Sequence, residues 1–302
     1  MKRVADDYAR EVFGSKRYSP WLCFYTLVRG EFKEGWIPRN FYEDIILPIV
    51  NKKIRLCDSK TFTDVVLKTD LLPNIAYYID GFFYNRNFEI IPSENVQELI
   101  FASSAEVFIK HDSSLKGLGV KTLAKYEFSQ MNFQTFGNCV IQSAIKQNEY
   151  FESIIHGPVA TIRITTVKDK SGKIDMRAAY LRLGRKNTRW VQSENAVRIA
   201  IINKSGELDM FGYTPDWKRW SEHPDTGVSF ANKYIPKFKE AIEACVALHK
   251  KVPHITIIGW DVTIDNNDNV KIMEWNLDGP GIHFSEPITG PCFLGLEWEK
   301  LR

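Results

Sequence analysis

The sequence has few cysteines and no spacing that would join them. Its 302 residues include five, scattered along the chain as Cys23, Cys57, Cys139, Cys245 and Cys292. No two of them form a CxxC pair, so neither a zinc framework nor a disulfide scaffold is indicated. Isolated thiols in odd number are typical of a reduced protein, and we expect a cytoplasmic location.

Long apolar runs and concentrated charge are also missing. No stretch approaches the ~20 apolar residues that a membrane span needs, and the first residues, MKRVADDYAREVFG, are too charged for a signal peptide. The net charge is +3, with Lys and Arg spread along the chain rather than gathered in a nucleic-acid-binding run. We expect no membrane span and no nucleic-acid partner, and the modest positive excess suits small anionic ligands.

Three common catalytic signatures are absent. The chain has no G-x-S-x-G elbow, no Walker-type lysine loop and no G-x-G-x-x-G fingerprint, which argues against the usual α/β-hydrolases, P-loop NTPases and dinucleotide-binding enzymes. Internal repeats and low-complexity segments are lacking too. The composition, 44% hydrophobic and 25% charged, is that of a globular protein long enough for one large domain or two lobes.

The most informative stretch covers residues 254–286. Residues 255–265 and 270–276 are rich in β-branched and apolar side chains. The Asn-Asn-Asp-Asn segment at 266–269 lies between them and predicts a hairpin turn. We therefore expect two antiparallel strands here, followed by a glycine-rich loop.

The register of this hairpin would bring three oxygen-bearing side chains together. A four-residue loop pairs Asp265 with Val270 and so places Asp261 opposite Glu274. Side chains alternate along a strand, so Asn276 shares the face of Glu274. Two carboxylates and an amide oxygen within apolar runs form a donor set suited to Mg²⁺ that is completed by phosphate oxygens. The alternative is a solvated hairpin with its polar side chains outward.

These residues resemble the magnesium-binding end of the ATP-grasp superfamily, in which an aspartate, a hairpin and a Glu-x-Asn follow one another. A narrower resemblance is to the sugar-transfer-associated ATP-grasp proteins of bacterial polysaccharide clusters. It rests on His-Pro-Asp-Thr-Gly at 223–227, Ile-Pro at 235–236 and Gly-Trp-Asp at 259–261. The resemblance covers roughly residues 56–302, and it is specific in the last third of the chain.

The resemblance implies an α+β ATP-grasp fold in which two lobes hold ATP between them. The implied small lobe covers residues 56–140, and the large lobe with the metal site covers 141–302. Residues 1–55 would precede them as an N-terminal helical subdomain. Apolar and aromatic residues recur there at helical spacing, and a third helix is predicted at 41–52.

The resemblance also implies which residues bind the nucleotide. Lys110 ends an apolar strand, and the loop after it would cradle phosphates through its backbone N–H groups; the residues implied there are Ser113, Ser114, Gly117 and Gly119. Lys60 is either a second phosphate contact or a solvated residue in the first turn of a helix that Asp58 or Ser59 caps. The strand from Cys139 resembles the hinge that reads adenine, where the implied contacts are Gln142, Ser143, Ile145 and Glu149.

Two arginines in apolar strands complete the implied site. Arg163 and Arg182 would contact phosphate or carboxylate, because a guanidinium binds such oxygens with two parallel hydrogen bonds; alternation along a strand leaves a solvent-facing position open for both. Asn195 and Arg198 are interpreted as part of a surface loop, and His223 as a structural anchor.

The implied activity is ATP- and Mg-dependent ligation of a carboxylate to an amine through an acyl phosphate. By analogy alone, the carboxylate belongs to a uronic acid or a similar sugar acid of a surface polysaccharide such as a capsule. Two alternatives stay open. One is a kinase of the same fold, for which Asp278, His283 or Glu286 would be the base; the other is a non-catalytic nucleotide-binding protein. The sequence leaves the oligomeric state open.

Overall fold

Two blocks of β-branched and aromatic residues form two antiparallel sheets. The structure is a computed structural model that describes residues 1–51, 59–112, 119–277 and 280–301. Its five-stranded sheet has the order β2-β1-β5-β3-β4, and its seven-stranded sheet has the order β10-β9-β8-β7-β6-β11-β12. With the helices packed on them, the expected α+β class is confirmed. No helix within the described ranges is both long and apolar enough to cross a membrane.

The strands are β1 Asn74–Ile79, β2 Phe82–Asn85, β3 Glu106–His111, β4 Val120–Ala124, β5 Cys139–Ser143, β6 Thr161–Lys168, β7 Ile174–Leu183, β8 Val197–Ile201, β9 Leu208–Tyr213, β10 Arg219–Trp220, β11 Ile257–Ile264 and β12 Val270–Asn276. The α-helices are α1 Lys2–Phe13, α2 Ser19–Arg29, α3 Arg39–Phe41, α4 Leu47–Val50, α5 Thr63–Leu67, α6 Val96–Ile100, α7 Lys125–Gln130, α8 Phe133–Phe136, α9 Glu149–Glu152, α10 Phe238–Lys250 and α11 Ser285–Thr289. Short 3₁₀ turns and one π-helical segment, Tyr42–Ile46, join some of them.

The small sheet has one apolar face and one mixed face. Ile109 and Ile141 point into a core with Phe128 and Phe133, whereas Lys110 projects from the other face because side chains alternate along a strand. The register sets Lys110 opposite Val140 in β5. Strand β5 is the central strand of this sheet. The expected lobe boundary at residues 140–141 therefore falls within a strand of the small sheet.

The large sheet buries one face against α10. Its strands contribute Ile162, Ile164, Leu181 and Ile199 to a core shared with residues of α10. Phe238, Ile242, Cys245 and His249 form the buried face of this helix, and Ile235 just before it is buried as well. Arg163 and Asp261 alternate with the apolar residues of β6 and β11 and are thereby directed to the opposite face.

The N-terminal helices share a core with the end of the chain. Ala5, Leu22, Trp36 and Tyr42 pack together with residues between 282 and 301. The helix predicted at 41–52 is interrupted, because a π-helical segment lies between α3 and α4. Pro48 has no N–H to donate to the carbonyl group of Asp44, and the wider turn before it accommodates that loss.

Candidate active site

The β11–β12 hairpin has the expected pairing of Asp261 with Glu274, but its turn and one of its strands differ from the prediction. Its turn is one residue longer at the β11 end than predicted, because Ile264 rather than Asp265 pairs with Val270. A β-bulge at Met273 then restores the register, and Asp261 lies opposite Glu274. The predicted pairing of Asp261 with Glu274 is therefore confirmed, although the predicted pairing of Asp265 with Val270 is wrong. Asp265 instead accepts hydrogen bonds from backbone N–H groups of the turn.

Asp261 is held by two arginines from neighbouring strands. Arg163 pairs with it across β6 and β11 and donates from Nε to Oδ1 at 2.5 Å and from Nη2 to Oδ2 at 3.2 Å. Arg182 of β7 donates from Nη2 to Oδ2 at 2.7 Å. Asp261 and Arg163 are buried, and the side chain of Arg182 is only 13% exposed, so the solvent-facing alternative does not hold for either arginine.

The arginines determine the ionisation of this carboxylate. Burial alone would raise the pKa of Asp261, but the charges and hydrogen bonds of Arg163 and Arg182 outweigh it and lower the pKa to about 2. The same pairing outweighs burial at Arg163 and raises the pKa of its guanidinium. Asp261 is therefore a fixed anion at neutral pH, as a metal ligand must be.

Asn276 turns its oxygen away from the sheet backbone. Its Nδ2 donates to the carbonyl group of Gly259 at 3.2 Å, which leaves Oδ1 as the atom available to a ligand. Gly259 has no room for a side chain, since a Cβ there would lie 2.7 Å from Pro280. The Gly-Trp-Asp motif thus lets residue 280 pack tightly beside Asn276.

Two lysines of the small lobe extend to the part of β12 that carries Glu274. The Nζ of Lys110 donates to the carbonyl group of Met273, the bulged residue, at 3.3 Å. The Nζ of Lys60 lies 3.9 Å from Oε1 of Glu274 and donates to the carbonyl group of Asp112 at 3.3 Å. Burial lowers the pKa of Lys110, and the charges of Glu274 and Asp261 oppose that shift.

Lys60 begins a 3₁₀ turn that leads into α5, and a distant residue caps that turn. Asp112 accepts from the backbone N–H of Thr61 at 2.8 Å and from Oγ of Ser59 at 2.8 and 2.9 Å. Ser59 occupies the N-cap position, but its side chain accepts no hydrogen bond from a backbone N–H of the turn; Asp58, the other expected cap, lies outside the described residues. Asp112 therefore fixes Lys60 beside Lys110.

The implied nucleotide residues are placed in different ways. Ser143 and Ile145 line a cleft of about 700 Å³ between the β5 hinge and the β11–β12 turn. Gln142 is buried and donates to Oδ1 of Asn74 at 2.7 Å, so its side-chain amide is engaged within the small lobe. Glu149 is exposed at the start of α9.

The phosphate loop is described only at its end. The carbonyl group of Gly119 accepts from the N–H of His111 at 3.0 Å, which continues the β3–β4 ladder. Ser113, Ser114 and Gly117 lie outside the described residues. Within the described ranges, no three His, Cys, Asp or Glu side chains cluster as a metal site, so a cation at this hairpin needs the amide of Asn276 and ligand oxygens.

Arg198 belongs to the polar face, although its sequence was interpreted as a loop. It lies in β8 directly opposite Arg182. Its neighbours Val197 and Ile199 are apolar and buried, the same pattern that marked Arg163 and Arg182, and that signal would have found it. Asn195 remains in the loop and donates to Gln192.

Two of the three bases considered for a kinase can be located. Glu286 is buried beneath the N-terminal segment, where its carboxylate accepts from the N–H groups of Ile37 and Cys292 at 3.0 and 2.8 Å. Burial raises its pKa to about 8, which those N–H groups partly oppose. Glu286 is thus a structural residue, and its assignment as a base is wrong. His283 lies on the polar face, and Asp278 is outside the described residues.

The His-Pro-Asp-Thr-Gly motif supports the end of β7. Nε2 of His223 contacts the carbonyl group of Gly184 at 3.0 Å. Asp225 accepts from Arg185 through Nε at 2.8 Å and Nη2 at 2.6 Å. The expected anchoring role of His223 is confirmed by this contact, which holds the strand that carries Arg182.

Comparison with known proteins gives a family match over somewhat more than half of the chain. A family model described as sugar-transfer associated ATP-grasp matches residues 122–294. No curated protein matches the chain.

Several solved structures are similar over most of this chain. One is the biotin carboxylase domain of 2-oxoglutarate carboxylase from Hydrogenobacter thermophilus, with 15% identity and a TM-score of 0.49, covering 82% of this chain and 45% of that one. Another is the D-alanine–D-alanine ligase from Coxiella burnetii, with 12% identity and a TM-score of 0.46, covering 81% and 57%. A third is the N5-carboxyaminoimidazole ribonucleotide synthetase from Thermotoga maritima, with 9% identity and a TM-score of 0.44, covering 81% and 47%. The chain spans about half the length of these structures.

Proposed function

Because the chain belongs to the sugar-transfer associated ATP-grasp family, we propose that it is an ATP- and Mg-dependent ligase that joins a carboxylate to an amine. The observation that carries the proposal is the convergence of charged groups from both lobes. Lys60 and Lys110 reach Glu274 and the bulge beside it, while Arg163 fixes Asp261 in the adjacent strand. Such a constellation suits a polyphosphate and its cation.

The donor set fits a magnesium ion. Asp261 is ionised, Glu274 is partly exposed, and Asn276 has a free amide oxygen, so these three residues would hold the cation with phosphate oxygens completing its shell. The cation would neutralise charge on the phosphates when bound. The cleft beside Ser143 and Ile145 has a volume suited to the base and ribose of a nucleotide.

The side chains present support phosphoryl transfer to a carboxylate. In the proposed reaction, a carboxylate oxygen attacks the γ-phosphorus of ATP and ADP leaves; an amine then attacks the acyl phosphate and inorganic phosphate leaves. The first step needs no general base, because the nucleophile is already an anion. Lys60, Lys110 and the arginines would stabilise the charge on the transferring group.

We propose a sugar acid, such as a uronate, as the carboxylate substrate, in the synthesis of a capsule or other surface polysaccharide. The family description associates these proteins with sugar transfer. The proposed amine is an amino acid or another small amine.

A kinase on the same fold is the second candidate, because one residue on the polar face retains a free basic atom. Nδ1 of His283 is buried without a partner among the described residues. Burial, followed by the charges of Arg39, Arg198 and Arg163, lowers its pKa to about 4, so the ring is neutral at neutral pH. A neutral imidazole can accept a proton from an alcohol.

Trapping with hydroxylamine separates these reactions. We expect the protein with ATP, Mg²⁺, hydroxylamine and D-glucuronate or D-galacturonate to form a hydroxamate with equal amounts of ADP and inorganic phosphate. Glu274→Gln removes one charge and keeps the shape of the site, and it should lower the rate on the order of a hundredfold or more. The matched control is Asp268→Asn in the exposed turn of the same hairpin, which should keep the parental rate.

The other outcomes each identify an alternative. A phosphate ester on the sugar without hydroxamate would support the kinase. Tight binding of ATP with no ADP formed under any condition would support a nucleotide-binding protein without catalysis. Parental turnover in Glu274→Gln would exclude Glu274 as a metal ligand.

A further inference from the structure

The polar face of the large sheet continues beyond Asp261 to a third arginine, which is half-buried. Arg198 stands opposite Arg182, and burial together with the charges of Arg182 and Arg163 lowers its pKa. Its guanidinium donates from Nη2 to the carbonyl group of Ser193 at 3.1 Å, and no carboxylate among the described residues forms an ion pair with it. Burial and the neighbouring positive charges destabilise the charged form of this arginine, and a bound anion would offset that cost.

Two buried nitrogen atoms beside Arg198 have no partner among the described residues. They are Nε of Arg182 and Nδ1 of His283. Arg182 uses Nη2 to hold Asp261, so a single guanidinium would join the proposed metal ligand to whatever binds at Nε. The Nε–H of Arg182 is a buried donor without an acceptor, which is costly, and a ligand oxygen at this point would satisfy it.

Aromatic side chains extend from Arg198 to the N-terminal helices and return at His283. Tyr213 pairs with Arg198 in the sheet. The ring centroids that follow are separated by 5.8 Å for Tyr213–Trp217, 4.9 Å for Trp217–Phe24, 5.6 Å for Phe24–Trp21 and 6.5 Å for Trp21–His283. The half-buried rings of Trp21 and Phe24 belong to α2, so the N-terminal helices border the arginine-lined surface.

We infer that Arg198 and Arg182 bind the carboxylate of the acceptor and that Trp21 and Trp217 pack against the sugar ring that carries it. The inference rests on the proposed ligase function and assigns its acceptor site. An anion at Nε of Arg182 would lie next to Nη2, the atom that holds Asp261, and therefore beside the proposed metal ligand, where a nucleophile aimed at the bound phosphates is needed. The N-terminal helices then determine specificity, because they supply Trp21.

Equilibrium binding tests this assignment without turnover. Isothermal titration calorimetry is carried out on the whole protein with Mg²⁺ and a non-hydrolysable ATP analogue, with D-glucuronate, D-glucose or D-glucose 6-phosphate as the titrant. We expect D-glucuronate to bind at least about tenfold more tightly than D-glucose, since a charge-assisted pair to arginine discriminates by that order. Arg198→Gln should weaken binding of D-glucuronate by about tenfold or more and leave binding of the ATP analogue unchanged. Trp21→Leu should weaken binding of both sugars.

Arg177→Gln is the matched control, because Arg177 lies in β7 like Arg182 but donates to the carbonyl group of Leu294 at the surface. It should bind D-glucuronate as the parent does. Equal affinity of the parent for D-glucuronate and D-glucose, or parental affinity in Arg198→Gln, would overturn the assignment. Tighter binding of D-glucose 6-phosphate would replace the carboxylate by a phosphate and also overturn it. A failed ligase function is recognised separately, because hydroxamate would then be absent while binding of D-glucuronate persists.

Discussion

The buried polar residues beneath the large sheet satisfy one another atom by atom. Oγ1 of Thr166 contacts Nδ1 of His249 at 2.7 Å and accepts from Nε1 of Trp260 at 2.8 Å. Nε2 of His249 contacts the carbonyl group of Ile255 at 3.1 Å. A carbonyl group only accepts, so Nε2 carries the proton and Nδ1 accepts from Thr166. This arrangement requires a neutral imidazole.

Acidification should therefore remove the contribution that the neutral imidazole of His249 makes to stability. The carboxyl group of Glu286, whose pKa is raised to about 8, changes stability in the opposite direction between pH 8 and 4.5. Burial lowers the pKa of His249 to about 4, so between pH 6.5 and 4 the unfolded chain binds the proton and the folded chain does not. The free energy of unfolding should fall over this window by about 3 kcal/mol from His249, with His283 contributing in the same direction. Asp261 acts later, because its stabilisation is lost only as the pH falls from about 4 to about 2.

Urea denaturation between pH 7 and 4 measures this dependence. Between pH 6.5 and 4, His249→Gln should lose less stability on acidification than the parent, whereas the control His254→Gln, at an exposed position, should keep the parental dependence. An unchanged slope in His249→Gln would show that the imidazole is not held neutral by the fold.

Single residues of the site differ in how far the sequence predicts them. Asp261 and Arg163 were recognisable because each is a charge within an apolar strand, and the structure pairs them. Arg198 has the same pattern but was assigned to a loop, since the preceding segment is polar. The engagement of Gln142 with Asn74 had no local signal, because its partner is 68 residues away in sequence.

At the scale of elements, strand periodicity gave the hairpin but not the bulge within it. Alternation alone placed Asp261 opposite Glu274, and the actual turn would have broken that pairing without the extra residue at Met273. The bulge also leaves the carbonyl group of Met273 to accept from Lys110. Some β-bulges can be recognised by a glycine in the sequence. The bulge at Met273 contains none, so nothing in the sequence marks it.

The attachment of the N-terminal helices depends on Glu286 at the start of α11. Both of its oxygens accept backbone N–H groups, one from Ile37 and one from Cys292. Glu286→Gln should lower the free energy of unfolding by about 1–3 kcal/mol, because the amide nitrogen cannot accept and leaves a buried N–H unpaired. Urea denaturation measures the loss. The control Glu297→Gln removes only surface ion pairs to Lys170 and Lys300 and should change little; an equal effect of both substitutions would argue against Glu286 as the attachment point.

At the scale of the whole molecule, the expected α+β class is confirmed. Contacts between residues that lie far apart in the sequence could not be predicted. The helical stripes of residues 1–55 predicted helices but not their partner, because the surface that buries the helices combines Val167 and Ile257 of the large sheet with residues between 282 and 301. The same holds for the cap of the Lys60 turn, which Asp112 supplies across 51 residues. Hydrophobic periodicity predicts which face of an element is buried, but it does not predict which residues pack against that face.

Substitution of Lys110 tests whether this residue of the small lobe binds the phosphates of ATP beside the carboxylates of the large lobe. Its ammonium group crosses from β3 to the carbonyl group of Met273 in the other lobe, beside the carboxylates of Glu274 and Asp261. Lys110→Met keeps most of the side-chain volume and removes the charge. We expect the affinity for ATP to fall by about ten- to a hundredfold, as loss of a charge-assisted bond to phosphate predicts.

The affinity for adenosine should be unchanged in the same variant, because adenosine has no phosphate to contact the ammonium group. Calorimetric titration with both ligands measures the difference. Lys121→Met in the neighbouring strand is the control, since Lys121 pairs with Ile109 and lies over the exposed side of Phe136, and it should bind both ligands as the parent does. Equal weakening of ATP and adenosine in Lys110→Met would mean that the bond to Met273 supports the arrangement of the lobes and that Lys110 does not bind the phosphates.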